Sequence, residues 1–352
     1  MAKDSLKDRI SRRLLRSGIR YANRETNFFR TFHERPKRAR QVGTWSEDCV
    51  QSEPMFIVMQ GPIATSDDFT LETLKIYSKH MPDCKLILST WKDTPAEQLD
   101  PIAKLGVEVV LSDKPAVPGL FNVNMQLVSA AAGVRRAVDA GAEWILKTRT
   151  DQRLYNPNSV HILCAMAKTF PVNGNWRQRH RIIGVGHGTL KFAPYHVTDQ
   201  TVFGHASDMR AYWTPPLREA SAPDHWPKTL HDTFLNVPIG ELCRLGAAEC
   251  YFASEFLSGI GRSLDWTLED TWAAYRDHFC FLDYTALDLY WVKYQSDTTL
   301  EFNSRYDAIS NRHEVGFGDW LLLYSGQVSP GGASRYEKVQ ESCFLSSVAK
   351  SQ

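Results

Sequence analysis

Between residues 54 and 150 the chain alternates short apolar runs with amphipathic stretches, an order that few folds accommodate. MFIVMQG (55–61), KLILSTW (85–91), VEVVLSD (107–113) and EWILKTR (143–149) have the length and the β-branched or aromatic content of buried strands. Between them lie DDFTLETLKIYSKHM, PAEQLDPIAKLG and NMQLVSAAAGVRRAVDAG, each with apolar residues at helical spacing. In the last of these the stripe reads Leu127, Ala131, Val134 and Val138, and Gly141 stops it. Strand and helix in strict alternation predict an α/β fold, a mainly parallel sheet with helices on both faces. No internal repeat or low-complexity segment interrupts it.

Sheets of this kind bind ligands beyond the carboxyl ends of their strands. Here those ends carry Gln60-Gly61-Pro62, Ser89-Thr90-Trp91, Ser112-Asp113 and the run from Thr148 to Arg153. No G-x-G-x-x-G follows the first strand and no P-loop lysine motif occurs, while GVGHG (184–188) reads as a turn. In KTRTDQR, Lys147, Arg149, Asp151 and Arg153 alternate with Thr148, Thr150 and Gln152. If the strand continues that far, three cations and a carboxylate share one face. Four charges on a strand covered on both sides are too costly to desolvate, so they are expected to reach solvent or a polar cleft. Arginine suits bidentate contact with phosphate oxygens, and lysine suits neutralising them. The carboxylate would pair within the group or hold a divalent ion against a diphosphate. The alternative is an ion-pair network that only terminates the strand.

The chain has 352 residues, 43% hydrophobic and 23% charged, which fits a large globular α/β domain or two smaller ones. No apolar run approaches the roughly 20 residues that span a bilayer. The first residues lack the apolar stretch of a signal peptide, so a cytoplasmic location is expected. Seven cysteines stand in no tight ligand spacing, which favours reduced thiols over disulfides or zinc; Cys243 and Cys250 are the nearest pair.

The net charge of +1 hides an asymmetry: residues 1–40 hold 13 of the 41 Lys and Arg but only 4 of the 40 Asp and Glu. Leu6, Ile10, Leu14, Leu15 and Ile19 recur there at helical spacing, and Arg9, Arg12, Arg13, Arg16 and Arg20 fill the other side. Such a helix can lie on an anionic membrane surface, peripheral to its cytosolic face. It can equally pack on the body of the protein, or the segment can be a disordered basic tail. Nucleic acid is not expected as a partner, because the rest of the chain is acidic and no recognition motif occurs.

Gln60 to Ile63 (QGPI), Ser89 to Trp91 (STW), the N-x-N-x-Q of Asn122, Asn124 and Gln126, and Lys147 to Arg153 together resemble the WavE lipopolysaccharide-synthesis family. The resemblance runs on through TDQTVFGHASDMRAYW (198–213), AAECYFASEFL (247–257) and KY (293–294). It implies a GT-A-like, Rossmann-type glycosyltransferase fold with a more irregular helical C-terminal part. It also implies a nucleotide-sugar donor and a glycan or glycolipid acceptor. On that reading residues 1–50 form the basic segment, 51–155 the nucleotide-sugar half, 156–300 the acceptor half and 301–352 an extension. Gln60, Gly61, Pro62, Thr90, Trp91, Asn124, Gln126, Lys147, Arg149, Asp151 and Arg153 are the expected donor-binding residues.

GT-A enzymes usually hold a divalent metal through D-x-D at a strand end placed like residues 144–151. This chain carries Arg149 at the first acidic position and keeps Asp151 alone. Asp151 could still hold Mg²⁺ or Mn²⁺ with phosphate and water ligands, or Arg149 and Arg153 could neutralise the diphosphate themselves. A direct displacement needs a group to accept the proton of the attacking hydroxyl. Glu249 is the expected base, with Asp199 its competitor, while His205, Asp208 and Glu255 are further acidic or basic groups of the same stretches. Trp213, Trp226, Trp266, Trp272 and Trp291 are either sugar platforms or core. A non-catalytic nucleotide- or glycan-binding scaffold and a nucleotidyl or phosphoryl transferase remain the other readings.

Overall fold

The computed structural model describes residues 6–25, 35–43, 53–186, 188–218, 222–294 and 314–343. The chain divides into two compact units, Met1–Val42 and Gly43–Gln352. In the first, α1 (Leu6–Glu25) is one continuous helix with Leu6, Ile10 and Leu14 70%, 51% and 69% exposed.

The second unit is built on β1 (Met55–Gln60), α2 (Phe69–His80), β2 (Cys84–Trp91), α3 (Ala96–Ala103), β3 (Glu108–Ser112), α4 (Val123–Asp139) and β4 (Trp144–Arg149). These are the elements that the apolar runs and helical stripes predict. The chain goes on through β5 (Gln152–Leu154), α5 (Ser159–Thr169), β6 (Ile182–Val185) and β7 (Thr201–His205). Four short helices follow, α6 (Ala206–Tyr212), α7 (Leu230–Asn236), α8 (Ile239–Leu245) and α9 (Ala248–Gly259). Last come α10 (Leu268–His278), β8 (Phe279–Leu282), β9 (Leu289–Trp291) and α11 (Phe317–Tyr324).

The main sheet has the order β3-β2-β1-β4-β7-β6-β8. The β1–β2, β1–β4, β2–β3 and β6–β8 pairs are parallel, whereas β7 runs antiparallel to both β4 and β6. The expected mainly parallel sheet flanked by helices is therefore what forms, with the helical C-terminal part beyond it. β1 is buried along its whole length, as a central strand covered on both faces must be. α4 lies so close over β1 and β2 that a Cβ on Gly133 would collide with Val58 and come within 2.9 Å of Ser89. Its buried face is Leu127, Ala130, Val134 and Ala137, a small rotation from the expected stripe, because Ala131 and Val138 are only partly covered.

One expectation about the charged run fails. β4 ends at Arg149, a turn occupies Thr150 and Asp151, and the chain restarts as β5 in a separate two-stranded sheet with β9. Thr150 makes the break: its N–H donates to Gln60 O at 3.1 Å, its hydroxyl donates to Pro62 O, and its carbonyl accepts from Thr70 Oγ1 at 2.8 Å. The N–H bond closes the β1–β4 ladder, and beyond it the bonds to Pro62 and Thr70 hold the chain in the turn.

Candidate active site

The parallel register aligns the carboxyl ends of β1, β2, β3 and β4 at one edge of the molecule. Gly61 follows β1 at φ 125°, and a Cβ there would sit 3.0 Å from Thr150 Oγ1, so only glycine lets the two loops meet. Arg149 leaves the end of β4 and turns back on Asp151, with Nε 2.8 Å from Oδ1 and Nη2 3.0 Å from Oδ2. Its guanidinium also lies 5.3 Å from the centre of the Trp291 ring. Burial pushes the Asp151 carboxyl up, but the Arg149 bond and charge, with Trp291 and Lys293, outweigh it and leave the pKa below its ordinary value. β9 brings these partners in: Trp291 pairs with Gln152 across the small sheet, and Val292 N donates to Asp151 O at 3.0 Å.

The other two charges of the run do not reach solvent, contrary to the desolvation argument. Lys147 is 1% exposed; its ammonium donates to Asp199 O at 2.6 Å and lies 4.6 Å from the Trp213 ring centre. Burial lowers its pKa to about 7, with Asp199 opposing the shift. Arg153 is likewise 1% exposed, donating to Thr73 Oγ1, Tyr155 Oη and Phe69 O at 2.8, 3.0 and 3.0 Å. Carbonyl and hydroxyl acceptors and aromatic faces meet the desolvation cost that sequence reasoning assigned to solvent. Arg153 thereby serves as a tie between β5 and α2, its guanidinium 4.3 Å from the centre of the Phe69 ring.

Asp199 and Glu249 come together beside Arg149, although 50 residues separate them in sequence. Asp199 is buried, and its Oδ2 has no hydrogen-bond partner, as is true of Tyr212 Oη and Trp213 Nε1 nearby. Orphaned buried polar atoms mark a place where a hydroxyl-bearing molecule or a water is expected. Glu249 stands in the first turn of α9, its side chain 28% exposed, with Oε2 4.0 Å from His196 Nε2. Burial and then the Asp199 charge raise its pKa, against the pull of His196 and Arg149. His196 Nδ1 lies 2.6 Å from Gly188 O, an acceptor, so Nδ1 carries the hydrogen and Nε2 faces Glu249. The fold surrounds Glu249 with Asp199, His196 and Arg149, none of them near it in sequence.

The remaining expected donor residues occupy the same edge, but their side-chain bonds run elsewhere. Gln60 donates to Ser129 Oγ at 2.7 Å, and Thr90 Oγ1 lies 3.3 Å from Thr94 Oγ1. Asn124 is saturated: Nδ2 donates to Val117 O and Arg218 O at 2.9 and 2.7 Å, and Oδ1 accepts from Arg218 N at 2.8 Å. Trp91 is buried at the end of β2, and Gln126 is part-buried in the first turn of α4. His205 and Asp208 belong to the opposite edge, since His205 pairs with Trp144 at the start of β4. Glu255 is exposed on α9, and Trp213, Trp226 and Trp272 are buried.

A divalent ion held at Asp151 does not fit these residues. Both Asp151 oxygens accept from Arg149, and Lys293 adds a second cation. Among the described residues no group of three or more His, Cys, Asp or Glu side chains converges as a cage. Cys243 and Cys250 pack in an apolar cluster with Leu190 and Ala193, as free thiols. The GVGHG segment supplies Gly186 and Gly188 at positive φ, as a turn does; His187 lies outside the described residues.

Trp291, Lys293, His196 and Tyr212 belong to this cluster and carry no motif of their own. Trp291 stands out only among the tryptophans, Tyr212 and Lys293 fall inside stretches of the family resemblance (198–213 and 293–294), and His196 had no signal in the sequence.

Among solved structures, S. aureus TarS 1-349 is 11% identical, with a TM-score of 0.32 over 85% of this chain and 92% of that one. A 4-diphosphocytidyl-2C-methyl-D-erythritol synthase is 12% identical, with a TM-score of 0.30 over 47% of this chain and 80% of its own. A putative glucose-1-phosphate thymidylyltransferase from Bacillus anthracis is 8% identical, with a TM-score of 0.29 over 45% and 74%. Comparison with curated proteins gives no match. A family model described as WavE lipopolysaccharide synthesis matches residues 55–236, just over half of the chain, from β1 through the charged turn, Asp199 and β7. The chain belongs to the WavE lipopolysaccharide synthesis family.

Proposed function

We propose that this protein transfers a sugar from a nucleotide-sugar donor to a hydroxyl of a glycan or glycolipid acceptor. The observation that carries the reading is the meeting, at one sheet edge, of the Arg149–Asp151 pair with Glu249, a carboxylate of raised pKa beside Asp199. In it the donor diphosphate docks against Arg149 and Lys293, displacing one or both Asp151 oxygens from the guanidinium. Charge neutralisation by fixed cations aids departure of the nucleoside diphosphate. Glu249 takes the acceptor proton; its raised pKa makes it a stronger base than an ordinary carboxylate. Arg149, and the His196 imidazolium once Nε2 is also protonated, steady the negative charge on Glu249.

Incubating the purified protein with nucleotide sugars and a membrane glycolipid extract tests this, with nucleoside diphosphate release as the readout. Release that depends on the extract supports it. Donor binding without release selects the non-catalytic scaffold, for which saturation of Asp151 by Arg149 speaks.

The second part of the proposal concerns α1. Its exposed Leu6, Ile10 and Leu14 and its row of arginines suit adsorption to an anionic bilayer, which would hold the enzyme near a lipid-linked acceptor. Among the described residues no helix is long and apolar enough to cross a membrane.

A further inference from the structure

A cavity of about 360 Å³ lies between the loop after β6, α10, α11 and the 3-10 segment Pro330–Glu341. Its size falls at the lower end of the roughly 300–1,000 Å³ typical of small-molecule sites. Three aromatic rings make its wall. Phe192 and Tyr336 have centroids 4.7 Å apart, and Trp272 lies 6.4 and 6.3 Å from them, with interplanar angles of 33–38°. The Trp272 indole N–H is already used, donating to Lys191 O at 2.7 Å, so the ring has only its face and edge to offer.

The polar lining is balanced. Lys191 and Asp319 form an ion pair at 2.9 Å, and Glu314 and Arg335 supply one more charge of each sign. A phosphate or nucleotide calls for an excess of cations, which this lining lacks. A hydrocarbon chain would take water from four charged groups without offering them a hydrogen bond in return. An uncharged pyranose answers both constraints. Its axial C–H face lies on aromatic rings, and its vicinal hydroxyls donate to carboxylates and accept from cations.

The cavity is also wired to the candidate base. Glu314 Oε1 accepts from Gly188 N at 3.2 Å, Gly188 O accepts from His196 Nδ1 at 2.6 Å, and His196 Nε2 faces Glu249 at 4.0 Å. Tyr275, on α10, ties the same loop from below, donating to Leu190 O and His196 O at 3.0 and 3.1 Å. A ligand touching Glu314 therefore acts on the loop that positions His196.

We propose that this cavity is a saccharide subsite that holds one uncharged pyranose unit, apart from the donor site. That the unit belongs to the acceptor glycan rests on the function proposed above; the binding itself does not.

Saturation-transfer NMR on the full chain tests it, with the methyl glycosides of glucose, galactose, mannose and N-acetylglucosamine as probes. At least one is expected to bind in the roughly millimolar range, with one ring face saturated most strongly. Tyr336→Ala is expected to weaken that binding about tenfold or more. Asp319→Asn, whose side chain is 41% exposed and outside the aromatic packing, is expected to weaken it several-fold even if the aromatic variant is poorly folded. Calorimetric affinity for nucleotide sugars should be unchanged in both variants, which separates this site from the donor site. Absence of binding by every glycoside overturns the proposal, as does undiminished binding in Asp319→Asn. Displacement of the bound glycoside by a nucleoside diphosphate alone would also overturn it, by placing the sugar in the donor site.

Discussion

Arg149 grips both oxygens of Asp151, two residues along, at 2.8 and 3.0 Å, at the point where the central strand breaks. The pair is part-buried, with side chains 23% and 18% exposed, and Trp291 lies against its cationic half. A cation held this way is oriented before any ligand arrives, which is how fixed charges gain strength over solvent. Asp151→Asn and Arg149→Ala are each expected to reduce turnover by about 2–4 kcal/mol of transition-state stabilisation while the fold persists. The double variant should be little worse than the poorer single one, because the two act as a unit. Circular dichroism and steady-state kinetics on all three check this, and wild-type turnover in both single variants would make the pair purely structural.

Glu249 should govern the acid limb of the rate profile. Burial and Asp199 raise its pKa, and a base works only when deprotonated, so kcat/KM should fall as pH drops through a value above the ordinary 4.5. Asp199→Asn removes a like charge and should move that limb to lower pH. Glu249→Gln should abolish transfer and leave donor affinity intact. Should calorimetry find donor binding lost instead, Glu249 is a donor ligand.

Lys147 makes stability pH-dependent. In the unfolded chain it stays protonated up to its ordinary 10.5, whereas in the fold it releases its proton near about 7. Between those values the unfolded state binds more protons, so this group's contribution to stability rises with pH, by about 1.4 kcal/mol per unit. Below about 7 the buried charge exacts its full penalty. Urea unfolding of Lys147→Met at pH 6.5 and pH 8.5 should show a smaller increase than the wild type; an equal increase would show that Lys147 is not the source.

The basic helix should adsorb to anionic lipid. Full-length protein is expected to float with phosphatidylserine liposomes at low salt and to be released at high salt, since each basic residue near the surface contributes about 1 kcal/mol. Full-length Ile10→Glu/Leu14→Glu, with the exposed apolar stripe broken, should stay at the bottom of the gradient. Equal flotation of the two proteins would count against the helix.

The strands and helices from β1 to β4 were legible because each local pattern agrees with its burial: five apolar residues in β1 before Gln60, and a small-residue stripe in α4 that admits Gly133 against Val58. The break at Thr150 was not, because KTRTDQR keeps perfect alternation and the bonds that end the strand come from Gln60, Pro62 and Thr70, far away in sequence. Nor could Lys147 and Arg153 be recognised as buried. A charged side chain looks solvent-bound until its acceptors are known, and these are carbonyls at Asp199 and Phe69. Asp199 and Glu249 were both candidates from the sequence. Their proximity, and His196 between Gly188 and Glu249, depend on the segment before β7 meeting the first turn of α9, far away in sequence.

The central claim is that the Arg149–Asp151 edge binds a nucleotide-sugar diphosphate without a protein-held metal. Calorimetric titration of wild type and Arg149→Ala with a panel of nucleotide sugars, in EDTA and in Mn²⁺, tests it most directly. The expected result is that at least one donor binds the wild type with affinities within about threefold in the two buffers, and that Arg149→Ala binds it at least about tenfold more weakly. Binding that vanishes in EDTA, or that Arg149→Ala retains in full, would contradict it.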